Sequence, residues 1–405
     1  MSSNIRPQPR YAWIVMGVLW GMDLANVFVF QSLGVLLPLW EEELGVTTFQ
    51  AGLLGSAGFL GFGLMALPAS IWLTKYNSKL MVLLLAGGMA VTVFLQGITS
   101  VVNLLILGRF LFLMCSVSRI QMQVLFIQQW FQPRLYATIN SLDFGNRSIG
   151  QTLALMVTPL LITLFGSWRL VYWGVAVWLF ILIVIWVFVG KENKTLNPAP
   201  DDEIEIGSPI KVLQRHKVLW LVSGAQVGLA FTFGAFATFY PIYVIDKLGF
   251  SLSTVGILFG FMPIGSIVGS ISAGPLSQLI RKRKPFIWIP GIFLPIIYFA
   301  LVYATSEIFI ALLFFASGYL AMSVPPIVST IPFDMKLSPR EITVALGLNR
   351  TLFPFAAAIG PFLVGIIGES SGSLALGLVV TSPLSVTLLV CGILIPETGN
   401  PDRTE

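Results

Sequence analysis

Long apolar runs, separated by short polar breaks, recur along the whole chain. They lie near 12–40, 48–74, 79–99, 101–131, 135–166, 168–190, 217–246, 250–280, 285–304, 307–334, 341–368 and 373–395. Each is near the length of about 20 residues that a helix needs to cross hydrocarbon. A helix satisfies its own backbone hydrogen bonds in lipid, so twelve transmembrane helices are expected. The predicted fold is an all-α membrane protein.

The longest polar break is "KENKTLNPAPDDEIEIGSPIKVLQRHK", 191–217. It divides the chain into an N-terminal six-helix bundle (1–190), a linker (191–216) and a C-terminal six-helix bundle (217–405). "NPAPDD" suits a flexible connection, and 208–216 suits an interfacial helix. The halves are related in sequence. A shift of 204 places Gly52 on Gly256, Leu54 on Leu258, Gly61 on Gly265, Ser70 on Gly274 and Lys79 on Arg283. With small gaps, Pro133-Arg134 meets Pro339-Arg340, Asn146-Arg147 meets Asn349-Arg350, and Pro159 meets Pro361. Two pseudo-symmetric halves in one orientation predict a parallel repeat, with a binding site near the midplane between them.

Composition agrees. The chain is 56% hydrophobic and 10% charged, against roughly 25% charged in soluble domains. The location of charge says more than its sum of +5. With the N-terminus inside, seventeen Lys and Arg fall in inner segments and only Arg169 and Lys247 in outer ones. The positive-inside rule therefore predicts a multi-pass protein of the cell membrane with both termini cytoplasmic. The basic loops are read as topology signals, not a nucleic-acid patch. Cys115 and Cys391 sit in apolar runs as small hydrophobes, and His216 alone cannot build a metal cluster. The first run is too long for a cleaved signal core. No nucleophile–base pair or metal-ligand spacing is present, so no enzyme and no cofactor is expected. A monomer in the bilayer is expected.

Several motifs carry a resemblance. "SIWLTKYNSK" (70–79) and "GPLSQLIRKR" (274–283) match a G-x-x-x-D-R-x-G-R-R loop after spans two and eight, with Thr74 and Gln278 at the Asp position. "LILGRFLFLM" matches R-x-x-x-G through Arg109. Gly145, Gly150 and Pro159 trace a degenerate Gly/Pro-rich antiporter motif. "WFQPRLYAT" and "SWRLVY" are of the same type. Over essentially its whole length the chain resembles the major facilitator superfamily. That resemblance implies alternating access, an inner gate around Lys75, Lys79, Lys282 and Arg283, and a coupling or structural role for Arg109.

Few charges remain inside the spans: Asp23, Arg109, Arg119, Asp143, Arg147 and Arg350, with Asp334 at an inner helix end as an interfacial group. A central Asp, Lys or Arg costs about 2.5–3.5 kcal/mol on insertion scales, so such groups face a partner or a cavity. Four arginines against two aspartates leave a core charge of +2. Arginine stays protonated and its planar fork suits carboxylate or similar oxygens. Arg119, Arg147 and Arg350, with Asn146, Asn349, Gln226 and Tyr319, are the substrate-binding candidates. Asp23, Asp143 and Arg109 are the proton-coupling candidates. Plainer roles stand beside these. Asp143 and Arg147 have the spacing of a simple helix-face ion pair. Asp23 can be a counter-ion of Arg119 or Arg147. The aromatic run Phe231, Phe233, Phe236, Phe239 and Tyr240 can be packing.

The sequence thus predicts a secondary active transporter of a small anion, proton-coupled or exchanging. A drug/proton antiporter is the alternative within the fold. A non-transporting receptor or a lipid scramblase is the alternative outside it.

Overall fold

The computed structural model describes residues 10–72, 76–132, 135–192, 215–335, 337 and 339–398. Twelve helices among them are long and apolar enough to cross a membrane. Span 1 is Arg10–Gln31 continued by Leu33–Leu44; spans 2 to 6 are Thr48–Trp72, Ser78–Ile98, Val102–Trp130, Tyr136–Phe165 and Trp168–Val189. Spans 7 to 11 are Val218–Leu248, Leu252–Leu279, Pro285–Tyr303, Glu307–Asp334 and Pro339–Ser371. Span 12 runs from Leu374 to Leu394. They form two pseudo-symmetric six-helix bundles. Of the linker, 193–214 lies outside the described residues, and so does most of the stretch read as an interfacial helix.

All the expected spans are present, but two are not continuous. Span 1 is interrupted at Ser32, whose hydroxyl donates to the Val29 carbonyl at 3.2 Å. Such back-bonding competes with the helical ladder. Span 12 passes through a 3-10 turn at Ser382–Val386, where Pro383 lacks an N–H. Hydropathy gives the length of a span and is blind to these breaks. By contrast, span 10 carries Pro325 and Pro326 inside one helix.

The repeat is legible in the turns. Gly45, Gly166, Gly249 and Gly372 all have φ between 64° and 68°, a left-handed conformation that glycine adopts without a Cβ clash. They follow spans 1, 5, 7 and 11, so all four lie at one end of the bundle. Ser167 and Ser373 then cap spans 6 and 12. This glycine-turn end is the one the charge bias predicts to face outward. The opposite end carries Lys79, Lys191 and Arg283.

Repeat-related residues also make equivalent contacts. A Cβ on Gly61 would lie 2.6 Å from the Phe110 carbonyl; one on Gly265 would lie 2.1 Å from that of Phe315. These glycines let span 2 approach span 4, and span 8 approach span 10, backbone to backbone. Between the halves, Gly52 meets the Pro361 carbonyl, where a Cβ would be 2.7 Å away. Gly256 meets Leu155 and Pro159, at 2.4 and 2.8 Å from a Cβ. Ser56 donates to the Ala358 carbonyl at 2.6 Å, and the Phe49 amide to Glu369 at 3.1 Å. Gly34 of span 1 packs on Ala237 and Pro241 of span 7. The halves are therefore sealed toward the glycine-turn end.

The residues expected to gate the basic end behave differently. Lys79 donates from Nζ to the Val187 carbonyl at 2.7 Å and from its amide to Glu192 at 3.3 Å. Arg283 pairs with Asp334 at 3.1 Å, and its amide donates to Glu397 at 2.6 Å. Each tie stays within one half, so in this conformation these residues clamp helix ends and do not bridge the bundles. Asp334 is correspondingly an ion-pair partner, beyond the interfacial role expected of it. Glu192 and Glu397 sit at the N-termini of spans 3 and 9, where negative charge is favoured by the helix dipole. Lys282 bonds through its amide to the Ser277 carbonyl at 3.2 Å. Lys75, Pro133 and Arg134 lie outside the described residues.

Candidate functional site

Four of the six intramembrane charges come together in the N-terminal half. Span 1 supplies Asp23, span 4 Arg119, and span 5 Asp143 and Arg147. Asp23 and Arg119 form an ion pair with no solvent exposure on either side chain. Arg147 lies 3.1 Å from Asp143 and 3.7 Å from the second oxygen of Asp23. Two neutral side chains complete the cluster. Gln123 accepts from Arg119 at 3.1 Å and donates to Asp143 at 2.6 Å. The Trp20 indole donates to Asp143 at 3.2 Å. Asn146 turns its amide to the Trp20 carbonyl, at 3.2 Å, and so braces span 1.

Burying charge is tolerable only with partners and further hydrogen bonds. Here two cations face two anions, so the quartet is neutral as a unit. It is not saturated, because Asp23 Oδ2, Arg119 Nε and Arg147 Nε lack hydrogen-bond partners. Arg147 is the accessible cation of the set, with 27% of its side chain exposed, against none for Arg119.

Arg109 stands apart. It is buried and donates to the carbonyls of Val29 and Phe30 at 3.1 and 3.0 Å. These carbonyls precede the break at Ser32. The guanidinium thus caps an interrupted helix, and it also lies over the Phe30 ring at 5.6 Å. Its hydrogen bonds go to backbone oxygens, and it makes none to Asp23 or Asp143.

Arg350 differs again. It is exposed, and among the described residues it has no hydrogen bond or ion pair. One turn further along span 11, Pro354 packs on Gly63, and a turn beyond that Ala358 accepts from Ser56. Residues four apart share a helix face, so Arg350 lies on the face turned toward the other half. The same reasoning places Arg147: Leu155 and Pro159, two and three turns on, pack against Gly256. The two repeat-related arginines face the space between the bundles, just short of the seal.

The remaining candidates are less engaged. Asn349 has an orphaned, buried Oδ1 next to Arg350. Gln226 is buried in the C-terminal half with its amide nitrogen unpartnered. Tyr319 accepts a long 3.5 Å bond from Ser272 and packs against span 8. The aromatic side chains of span 7 are mostly packing: Phe231, Phe236, Phe239 and Tyr240 are buried.

The family-model comparison matches the Major Facilitator Superfamily over residues 19–336. The chain belongs to that superfamily. Superfamily relatives similar in sequence include a hexuronate transporter of Bacillus subtilis strain 168, 21% identical, covering 92% of each chain. A probable sulfoacetate transporter of Cupriavidus necator H16 is 20% identical over 92% of this chain and 90% of its own. Among solved superfamily structures, a bacterial homologue of the human lysosomal transporter Spinster superposes with TM-score 0.75 at 15% identity, covering 96% and 95% of the two chains. The nucleoside transporter NupG does so with TM-score 0.76 at 14% identity, covering 93% and 98%. The chain is thus a multi-pass membrane protein of a transporter superfamily.

A search for charge alone missed Trp20 and Gln123. Gln123 carries a visible signal: it follows Arg119 by one helical turn, and a polar side chain a turn from a buried charge is a natural partner for it. Trp20 carries none, because its partner Asp143 lies on another span.

Proposed function

We propose that the protein is a secondary active transporter of a small anion, a carboxylate or a similar group, working by alternating access. Arg350 carries this reading. It is a permanent cation, without a partner among the described residues, on the face of span 11 turned toward the other half. A cation within a membrane span faces a partner or a cavity, and the neutral quartet has no charge to spare for Arg350. An anion held between Arg350 and Arg147 supplies it through charge-assisted hydrogen bonds. The names of the two full-length relatives support the class, since hexuronate and sulfoacetate are both organic anions.

Coupling follows from competition. Arg147 lies against Asp143 and Asp23. An anion that draws Arg147 away removes the charge that favours the ionised carboxylate, and Asp143 takes up a proton. The halves then close over a neutralised site. The same arginines also allow exchange of one anion for another with no proton. The charge bias of the loops supports placing both termini in the cytoplasm.

The test is thermal stabilisation of the purified protein by mono- and dicarboxylates, inorganic anions and cationic drugs, since a ligand of the native state raises the melting point. Anions are expected to stabilise it, and Arg350→Gln to remove the effect. Stabilisation by cations alone, unchanged in Arg147→Gln and Arg350→Gln, overturns the reading.

A further inference from the structure

Just beyond the arginines, where the halves meet, is a small cavity of about 50 Å³. Span 1 contributes Gln31 and span 5 Gln151; the C-terminal half contributes Ser266 with Phe259, Met262 and Met322. The wall is mostly apolar, with three polar groups converging on it. That is how sites which fix the orientation of a small molecule are built.

Two further observations point to an occupant. Gln31 and Gln151 make no side-chain hydrogen bond among the described residues. Ser266 donates to the Met262 carbonyl at 2.9 Å and keeps its lone pairs free. A side-chain amide has two donors and an acceptor oxygen, so each glutamine has groups free for a ligand that enters the cavity. Moreover, Gln151 follows Arg147 by four residues, so both lie on one face of span 5, with a rise of about 6 Å between them. Leu155, a turn further, is already in the seal against Gly256. The order along this stripe is charge, then amide, then closure.

We infer that Gln31, Gln151 and Ser266 form a second subsite, which takes the hydrogen-bonding tail of an anion whose charged group lies at Arg147 and Arg350. This rests on the anion reading above and narrows it: the substrate is a short bifunctional anion, with a hydroxyl or comparable polar group about three to five bonds from the charged carbon, a reach comparable to the helix rise. A simple alkyl carboxylate of the same length leaves both amides unpaired and is rejected, as sites built around a substrate hydroxyl reject analogues that lack it.

The experiment compares isosteric pairs on the purified full chain, where a terminal methyl replaces a hydroxyl. The pairs are 3-hydroxypropionate with butanoate, 4-hydroxybutyrate with pentanoate, and 5-hydroxypentanoate with hexanoate. Binding is read by calorimetry and by thermal shift. In at least one pair the hydroxy acid is expected to bind at least about tenfold tighter. Gln151→Leu is expected to reduce that preference to within about twofold while leaving alkyl carboxylate binding in place. Equal binding within all three pairs by the native protein overturns the subsite, which then holds only water, and leaves the anion reading standing. The preference persisting undiminished in both Gln151→Leu and Gln31→Leu also overturns it. Failure of every carboxylate to bind overturns the subsite; failure of the inorganic anions as well overturns the anion reading beneath it.

Discussion

Arg147 and Arg350 occupy corresponding positions in the two repeats, yet Arg147 lies 3.1 Å from Asp143 while Arg350 has no ion-pair partner among the described residues. Under the proposed anion transport, the asymmetry divides the labour. One arginine is held in a neutral cluster and must be drawn out of it; the other is already free. Arg350→Gln is therefore expected to lower anion affinity by about 10- to 100-fold, the loss of one charge-assisted contact, with no fall in the melting point of the unliganded protein. Arg147→Gln should lower affinity similarly but also lower the melting point, because it strands two carboxylates close together. Calorimetry with thermal unfolding of the two variants separates these outcomes.

The two aspartates should also separate. Asp23 is fully buried against Arg119, whereas the Asp143 side chain is 18% exposed. Of the two, only Asp143 has any exposed side-chain surface. Asp143→Asn is expected to abolish pH-gradient-driven uptake into proteoliposomes while preserving anion binding. Asp23→Asn leaves Arg119 buried without its charged partner, a change that costs about 3–5 kcal/mol in comparable cases. It should appear first as lost folded protein. Gradient-driven uptake surviving in Asp143→Asn would exclude this residue as the coupling group and favour exchange.

Much of this was legible in the sequence for a physical reason. Lipid imposes long apolar runs, so the spans are visible, and it makes isolated charges costly, so Asp23, Arg119, Asp143, Arg147 and Arg350 are too. The 204-residue repeat marked Gly52, Gly61, Gly256 and Gly265, and the structure uses each for a close helix approach. What stayed hidden depends on the partner across the gap. Nothing local says that Arg109 caps the carbonyls of Val29 and Phe30, or that Lys79 and Arg283 turn back into their own halves. Nor does a glutamine in an apolar helix declare which face it takes; Gln123, Gln31 and Gln151 became informative only once their neighbours were known.

The seal between the halves is a target in itself. A Cβ on Gly256 would meet the Leu155 carbonyl at 2.4 Å, and one on Gly52 the Pro361 carbonyl at 2.7 Å. Neither backbone atom can move aside locally, so the strain is relieved by separating the bundles. Overpacking of this kind costs about 1–3 kcal/mol, enough to shift a two-state equilibrium by about 5- to 150-fold. Gly256→Leu and Gly52→Leu should each favour the conformation open at the glycine-turn end. Spin labels at Gln50→Cys and Ser370→Cys, with Cys115 and Cys391 replaced by serine, report it as a longer inter-label distance. Because the two glycines are equivalent in the repeat, either substitution alone should act; a shift from only one would mean that the seal is not symmetric in energy.

Acid should tighten the same seal. Glu41, past the apolar part of span 1, is pushed up to about 7, first by burial and then by the nearby Asp246 of span 7. Span 1 meets span 7 through Gly34 on Ala237 and Pro241, and two turns on from Gly34 the chain reaches Glu41. Neither nearby cation pairs with it: Arg169 is paired with Glu43, and Lys247 donates to the Tyr243 hydroxyl at 2.5 Å and the Val302 carbonyl at 3.3 Å. When the seal opens, Glu41 is exposed and returns toward its ordinary value of 4.5. The closed state therefore holds the proton more tightly, and linkage fixes the sign. Below pH 4.5 both states are protonated and closure is unopposed. From 4.5 to about 7 the closed state progressively loses its advantage, and above about 7 the loss is complete and constant. With the labels at Gln50→Cys and Ser370→Cys, the open fraction should rise between pH 5 and 7 and then level off. Glu41→Gln removes this titration, so the rise in the open fraction should be much reduced across this range. A pH response that persists unchanged in Glu41→Gln would assign the titration to another group.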